Sequence, residues 1–280
     1  MVGRSHPISR IKSRRGDIAL KNLDLFSEYQ RSPEWRALSS ESQRSYTRSI
    51  NHLPNMEIQR INQKVIGTAH AALRPGAGNS FRAAMVGYWR WANRMGYARV
   101  PITLPRARTK EIPAWKREAL EPYLESANAS PIALAMALAF YTAQRLSDIL
   151  AIRWTDISEE GLSIRQQKTK EELLIPIHPK LQGILDGLVR CGPYIVQHSG
   201  KRYAIGSFRV LYRKAVPKSL PPFHGIRKAS CIAMAEGGAT THQIMSVSGH
   251  KTLQMVSLYT KGVNKHALAK EAIRSFGRKT

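Results

Sequence analysis

Residues 131–141 constrain the fold of this chain more than any other segment, because nearly every side chain in them is apolar. An apolar run without a polar face predicts a helix that is buried on all sides inside a domain. The run is shorter than the roughly 18 apolar residues that a membrane span requires. With 42% hydrophobic residues, the chain can cover such a helix with a core of its own.

A small β structure is predicted after this helix. Apolar residues alternate at Leu162 and Ile164 and again at 173, 175 and 177, which is typical of two strands of a hairpin with a polar, basic tip at 167–171. Helical patterns then resume from Lys180, in 207–215, in 226–236 and in 263–276. The second part of the chain is therefore predicted to be a mixed α+β domain.

Residues 21–100 show helical spacing instead. Residues 40–43 have the form of a capping box, and Tyr46, Ile50 and Leu53 follow on one helix face. After a predicted turn at 75–78, another helix has an apolar face, with Gly96 as its stop; that face comprises Phe81, Met85, Tyr88 and Ala92. Trp89 and Trp91 cannot both lie on this face, so one of them could stack on a sugar or base, although packing in the core or at a domain interface is favoured.

These patterns divide the chain into four segments. Residues 1–20 are a basic N-terminal arm, residues 21–100 a helical domain, and residues 114–280 a second domain that ends in a helix. Between them, residues 101–113 contain three prolines and three basic residues, which favours an inter-domain linker. The predicted fold is mainly α with a small β-sheet.

The charge of the chain indicates a polyanionic partner. The formal net charge is +25, with +14 in residues 1–110 and +11 in the remainder, so both parts are expected to contact that partner. Nucleic acid fits best, and the alternatives are a merely soluble basic protein or one that binds an anionic membrane. Cys191 and Cys231 lack metal-ligand spacing, and no signal peptide or membrane span is indicated, so we expect a reducing cytosol and no metal.

Six residues in the second domain offer the chemistry of phosphoryl transfer: Arg145, Lys168, His224, Arg227, His250 and Tyr259. Arginines can hold a phosphate through forked hydrogen bonds, histidines and lysine can move protons, and a tyrosine can attack phosphorus. His224 and Arg227 stand three residues apart and are predicted to share one helix face. Asp148, three residues after Arg145, could orient that guanidinium.

Four stretches contain these residues: 142–157, 165–177, 223–230 and 248–261. In their order, spacing and context they resemble the catalytic domain of the tyrosine recombinase, or phage integrase, family. Residues 21–100 resemble the core-binding domain of that family in length and position only. The resemblance implies an all-helical core-binding-like domain followed by a mixed α+β catalytic domain.

The resemblance also implies roles for the site residues. Tyr259 is the expected nucleophile, Arg145 and Arg227 are expected to hold the scissile phosphate, and Lys168 is the expected general acid for the leaving 5′-hydroxyl. Lys170 lies two residues further on and points to the same side of the hairpin, so direction cannot decide between the two lysines. The reach of the side chain and the position of the lysine in the family favour Lys168. No cofactor is needed, because two arginines and a lysine can supply the positive charge.

His224 and His250 are expected to assist proton transfer and to hydrogen-bond the phosphate. The sequence departs from the family at two positions, one shortly before Arg145 and one shortly before His250. The family usually has glycine where Ala143 stands, which could alter the turn before the first arginine. Ser248 replaces a commoner apolar residue. Neither change removes a functional group.

The predicted function is site-specific recombination of double-stranded DNA through a 3′-phosphotyrosine intermediate, with integration or excision of a mobile element as its use. The expected assembly is a homotetramer on paired DNA sites, in the cytoplasm of a bacterium and encoded by it or its phage. The terminal segment 264–280 would dock on a neighbouring protomer or pack on its own domain. The alternatives are a topoisomerase IB-like nicking and resealing enzyme, and a non-catalytic DNA-binding regulator.

The charge distribution predicts a steep salt dependence of DNA binding. The slope of log affinity against log salt concentration should become shallower when residues 1–110 are removed, because fewer phosphates are then neutralised. Fluorescence anisotropy titrations of the full chain and of residues 111–280 at several salt concentrations measure both slopes. Equal slopes would show that the N-terminal part does not hold DNA.

Overall fold

The computed structural model describes residues 20–98, 101–260, 269 and 273, and the chain forms two compact units, Met1–Lys110 and Glu111–Thr280. The predicted basic arm, apart from Leu20, lies outside the described residues. The predicted C-terminal helix also lies outside them, apart from Ala269 and Ile273, so both remain predictions.

Within residues 20–98 and 101–110, the described part of the first unit, there are five α-helices: α1 Asn22–Tyr29, α2 Pro33–Arg36, α3 Ser40–Ile50, α4 Gln63–Ala71 and α5 Pro75–Arg94. The predicted capping box on residues 40–43 is wrong by one residue. Ser39 is the cap, and its hydroxyl accepts from the backbone N–H of Ser42 at 3.2 Å. Gln43 donates instead to the carbonyl of Trp35, so it is not available to close a box.

Helix α5 is the centre of the first unit. Its predicted apolar face is confirmed, because Phe81, Met85, Tyr88 and Ala92 are fully buried. Residues 75–78 form its first turn rather than a separate turn, since proline is well suited to the first helical position. The helix ends before Gly96, which has a φ of 79°.

Both tryptophans of α5 belong to the core of this unit. Trp89 is 3% exposed and Trp91 is 5% exposed, and Trp91 lies against the rings of Tyr29, Tyr88 and Tyr97. A tryptophan in this position has no free ring face for a base or sugar. The core-packing interpretation is therefore confirmed, and the stacking alternative is wrong.

Residues 101–113, all of them described, form no helix or strand, and hydrogen bonds hold both ends of the segment. In the first unit, Gln63 exchanges two hydrogen bonds with Thr103, and Asn79 exchanges two with Ala107. In the second unit, Lys228 donates to the Glu111 carboxylate and to a backbone carbonyl. The segment is anchored rather than loose at these points.

The second unit is built around the predicted buried helix, which is confirmed as α7, Pro131–Thr142. The Ser130 hydroxyl caps it by accepting from the N–H of Ala133 at 3.1 Å, and seven consecutive residues, 133–139, are no more than 5% exposed. Between residues 111 and 260, the other helices are α6 Arg117–Glu125, α8 Leu146–Ile149, α9 Pro179–Asp186, α10 Ile205–Ala215, α11 His224–Glu236, α12 Thr241–Ser248 and α13 Leu253–Thr260.

The predicted hairpin is also confirmed. Strand β2, Gly161–Arg165, pairs antiparallel with β3, Glu172–Ile175, in a register that sets Ile164 opposite Leu173. A two-residue strand, β1 Ile157–Ser158, joins the other side of β2. A second small sheet contains β4, Gln197–His198, and β5, Lys201–Arg202. The fold is therefore mainly α with small antiparallel sheets, and no described helix is long and apolar enough to cross a membrane.

The burial of α7 predicts how the second unit responds to truncation. Leu138→Ala removes a fully buried side chain and should lower the free energy of unfolding by about 2–5 kcal/mol, because the surrounding core cannot close the cavity. Leu174→Ala makes the same chemical change at a side chain that is 49% exposed, and it should cost less than about 1 kcal/mol. Urea unfolding followed by circular dichroism compares them, and equal losses would contradict the central role of α7.

Candidate active site

Arg145 follows the end of the buried helix. After α7 ends at Thr142, Ala143 takes a left-handed conformation with φ 54° and ψ 28°, which turns the chain out of the helix. Arg145 then precedes α8, with its Nη1 at 3.9 Å from a carboxylate oxygen of Asp148. The other oxygen of Asp148 accepts from the backbone N–H of Gln167 at 2.9 Å, so this carboxylate lies between the arginine and the hairpin.

Lys168 lies in the turn between β2 and β3, as the sequence predicted. Its side chain is exposed and lines a cleft that Arg145 and His224 also line, whereas Lys170 is not among the residues that line this cleft. Lys170 has a φ of 60°, so the backbone is turned into the left-handed region at that position. The geometry therefore favours Lys168 over Lys170 as the lysine of the site.

Helix α11 presents His224 and Arg227. His224 is its first residue and keeps an exposed edge, while Arg227 is only 2% exposed. The helix can begin here because Gly225 admits the carbonyl of Pro113, which would lie 2.5 Å from a Cβ atom. Arg227 donates through Nη1 to the carbonyl of Ala143 at 2.6 Å, so α11 is joined to the turn before Arg145.

The C-terminal helices position His250 and Tyr259. Helix α12 ends at Ser248, and the next residue, Gly249, turns the chain with a φ of 67°. His250 then faces Arg227, with 3.1 Å between its Nε2 and Nη2 of the arginine. Tyr259 lies on α13, and its ring centroid is 5.7 Å from that of His250. The predicted turn at His250 and the predicted helix at Tyr259 are both confirmed.

The six predicted residues thus come together in the second unit. Four of them line one cleft of about 1000 Å³: Arg145, Lys168, His224 and Arg227. His250 is buried and contacts Arg227, and Tyr259 lies next to His250. Arg209, Arg213 and Lys218 extend the basic lining of the cleft. Such a surface suits a phosphate chain rather than a neutral ligand.

Two buried glutamines, which the sequence analysis did not single out, connect the site. Gln166 donates through Nε2 to Oε1 of Gln144 at 2.7 Å and to the carbonyl of Ser248 at 2.8 Å. Its Oε1 accepts from Nη1 of Arg145 at 2.9 Å and from the hydroxyl of Thr169 at 2.5 Å. Because a guanidinium only donates, the contact with Arg145 fixes which end of the amide is oxygen.

Gln144 completes this polar network. Its Nε2 donates to the carbonyls of Thr142 and Val247 at 2.9 and 2.8 Å, and its side chain is fully buried, as is that of Gln166. Gly249 is required beside the network, since a Cβ atom there would lie 2.5 Å from Nε2 of Gln166. The only sequence feature that marks Gln166 is its position where a strand meets a turn. Its partners Gln144 and Ser248 are too distant along the chain to be inferred from the sequence.

The electrostatics of the site follow from burial beside positive charge. Burial, and then the charge of Arg227 and Arg145, lowers the pKa of His250 to about 4. Partial burial and the charge of Arg227 also lower the pKa of His224. Burial raises the pKa of Tyr259, although the arginines oppose this shift. At neutral pH, both imidazoles are therefore neutral and the phenol keeps its proton.

The family of the chain follows from a comparison of its sequence with known families. Residues 117–266 match the phage integrase family, and because this match covers more than half of the chain, the chain belongs to that family. This confirms the resemblance on which the site residues were predicted. The individual roles of these residues remain predictions.

Individual relatives agree with this assignment. The integrase of Escherichia phage HK022 is 26% identical over 206 residues, which are 70% of this chain and 57% of that protein. The prophage integrase IntE of Escherichia coli strain K12 is 31% identical over an alignment of 164 residues, and the match covers 48% of this chain and 43% of that protein. The chain spans about half the length of the curated relatives it matches.

Solved structures share the fold. A lambda integrase dimer bound to a COC′ core site has a TM-score of 0.73 at 20% identity, over 86% of this chain and 77% of that one. A lambda integrase tetramer bound to a Holliday junction has a TM-score of 0.74 at 20% identity, over 89% and 80% of the two chains. At this level of identity the likeness shows a common fold.

The glutamine network predicts a strong effect of a single apolar substitution. Gln166→Leu keeps the size of the side chain but leaves Gln144, Arg145 and Thr169 without this partner, and it should lower the free energy of unfolding by about 2 kcal/mol or more. Gln167→Leu is the matched control, because that side chain is exposed and makes one hydrogen bond, to the carbonyl of Ser147. Thermal unfolding of both variants tests this, and a control that loses as much as Gln166→Leu would contradict it.

Proposed function

We propose that the chain is a site-specific DNA recombinase that cleaves and rejoins strands through a 3′-phosphotyrosine intermediate, to integrate or excise a mobile element. The observation that carries this proposal is the convergence of Arg227, His250 and Tyr259 beside the basic cleft. Membership of the phage integrase family supports the same reaction class. The curated relatives are themselves integrases.

The proposed reaction begins when the scissile phosphate enters the cleft between Arg145 and Arg227. Charge-assisted hydrogen bonds from the two guanidinium groups hold its oxygens and stabilise the negative charge that develops in the transition state. Both groups are held from behind, Arg145 by Gln166 and Arg227 by the carbonyl of Ala143. Held in this way, they need little rearrangement when the phosphate binds.

Tyr259 is the proposed nucleophile. Its phenolic oxygen forms a bond to phosphorus, the bond from phosphorus to the 5′-oxygen breaks, and the DNA strand stays attached as a 3′-phosphotyrosine ester. This ester conserves the energy of the broken phosphodiester bond. A 5′-hydroxyl from the same or another strand can therefore reseal the break without ATP, which is what strand exchange needs.

Lys168 is the proposed general acid, and His224 and His250 assist proton transfer and hydrogen-bond the phosphate. Lys168 gives a proton to the departing 5′-oxygen, which is otherwise a poor leaving group. Its position on an exposed turn at the cleft supports this role, because the side chain can reach a bound strand.

Double-stranded DNA is the proposed partner, and the proposed assembly is a homotetramer on paired sites in the cytoplasm of a bacterium. The charge of +25 supports the first point. Lambda integrase, which shares the fold, has been solved as a dimer on a core site and as a tetramer on a Holliday junction. A topoisomerase-like monomer would use the same residues, so recombination of two DNA molecules, rather than relaxation of one, distinguishes the two functions.

The first test concerns the covalent bond. Tyr259→Phe should abolish the protein–DNA adduct on a nicked suicide substrate while DNA affinity stays within about twofold, because only the attacking hydroxyl is lost. Tyr203→Phe, at a half-buried tyrosine outside the six-residue site, should still form the adduct. Adduct detected with Tyr259→Phe would rule out this nucleophile, and no adduct with the unmodified chain would favour a non-catalytic regulator.

The second test assigns the general acid. A substrate with a 5′-bridging sulfur releases a thiolate, which departs without a proton, so it should restore cleavage to Lys168→Ala by about a hundredfold or more. The same substrate should help Arg145→Ala little, because that variant lacks charge stabilisation rather than a proton. Lys170→Ala is the matched control and should cleave the ordinary substrate. Rescue of Lys170→Ala instead of Lys168→Ala would overturn the assignment.

A further inference from the structure

His250 is held through both of its ring nitrogens. Its Nδ1 lies 2.6 Å from the hydroxyl oxygen of Ser248, and its Nε2 lies 3.1 Å from Nη2 of Arg227. The imidazole is 6% exposed, so these contacts rather than solvent decide which nitrogen carries the proton. The structure therefore constrains the tautomer of this residue.

The contact with Arg227 determines the role of Nε2. A guanidinium group carries only N–H donors and has no acceptor. Nε2 must accept the hydrogen bond from Nη2, which means that Nε2 carries no proton. In a neutral imidazole, the proton then resides on Nδ1.

The contact with Ser248 leads to the same tautomer independently. The Ser248 hydroxyl lies 2.5 Å from the backbone carbonyl of Ile244, and a carbonyl can only accept. The single hydroxyl proton is therefore used on Ile244. The Ser248 oxygen remains free to accept, and the Nδ1–H of His250 is the donor that faces it.

We propose that Ser248 is a positioning residue that holds His250 in its Nδ1–H tautomer and thereby keeps Nε2 as a proton acceptor in the active site. The reactive consequence rests on the proposed function. The Tyr259 ring is the neighbouring proton source, with 5.7 Å between the ring centroids. An apolar residue at position 248 would provide no acceptor for Nδ1–H.

This assignment gives His250 one role in cleavage. When a phosphate binds, its charged oxygens are stronger acceptors than Nε2 and draw the Nη2–H of Arg227 away from the imidazole. The phenolic proton of Tyr259 then passes to Nε2, the phenolic oxygen bonds to phosphorus, and the bond to the 5′-oxygen breaks. Only after it has taken this proton can Nε2 donate a hydrogen bond to the phosphate. Lys168 supplies the proton that this oxygen takes up, so the protons balance.

The tautomer can be measured without DNA. In ¹⁵N-labelled full-length protein at neutral pH, two-bond ¹H–¹⁵N spectra distinguish a protonated from an unprotonated ring nitrogen, and the signals of His250 are those absent in His250→Gln. We expect a protonated Nδ1 in the unmodified chain. Ser248→Ala leaves Nδ1–H without an acceptor, so the ring of His250 should release Arg227 in part of the molecules and gain a population of the Nε2–H tautomer. Ser248→Thr, which keeps the hydroxyl, should not.

Ser246→Ala is the matched control, because the Ser246 hydroxyl also donates to a carbonyl of its own helix but is exposed and bonds to Gln243. It should leave the His250 signals unchanged. An Nε2–H tautomer in the unmodified chain would overturn the proposal, and so would an unchanged tautomer in Ser248→Ala. The spectrum of the unmodified chain decides the first point even where a variant fails to fold.

Single-turnover cleavage connects the tautomer to the reaction. Ser248→Ala should slow adduct formation by about tenfold or more at unchanged DNA affinity, while Ser248→Thr and Ser246→Ala retain the rate. Unchanged cleavage by Ser248→Ala would contradict the catalytic consequence. If no form of the chain cleaves DNA, the proposed function fails, whereas the measured tautomer still confirms or overturns the role of Ser248.

Discussion

The side-chain amide of Gln166 is the interaction on which the geometry of the site depends. It makes four hydrogen bonds, and together with Gln144 it joins the turn after α7, the hairpin and the last turn of α12. The backbone is irregular after α7 and at the tip of the hairpin, and neither a helix nor a sheet ladder joins these two points to α12. A buried amide with every hydrogen bond satisfied can do so, whereas one missing partner would leave a buried polar group that costs about 1–3 kcal/mol.

Arg227 imposes a second constraint, because it places a positive charge in a nearly closed environment. Burial lowers its pKa to about 10, which still leaves it charged at neutral pH. The carbonyl of Ala143 accepts a hydrogen bond from one of the N–H groups of Arg227. Ala143 has a left-handed backbone conformation, in which glycine would be less strained. In the proposed reaction, the DNA phosphate supplies the negative charge that this arrangement lacks.

The sequence could predict the parts of the structure that depend on local pattern. The buried helix α7, the apolar face of α5 and the hairpin follow from the spacing of apolar residues, and the site residues follow from the family motifs. Ser39 and Ser40 are equally good caps, so sequence could not decide between them. Strands of two residues are too short to show an alternation of apolar and polar residues, so the sequence could not predict them. The partners of Gln166 lie between 3 and 82 positions away along the chain, so local pattern could not predict its hydrogen bonds either.

The arginines that give the cleft its positive charge also affect the pKa values of His250 and Tyr259. For each residue, burial and charge together decide which protonation state is favoured. The imidazole of His250 experiences burial and positive neighbours, which both favour its neutral form. For Tyr259, the arginines favour the phenolate, but burial outweighs them and the hydroxyl keeps its proton. A phosphate in the cleft would offset the positive charge and raise the pKa of His250, which makes it a better acceptor. In the proposed reaction, proton transfer from Tyr259 is therefore easier when the substrate is bound, and in the empty site the phenol keeps its proton.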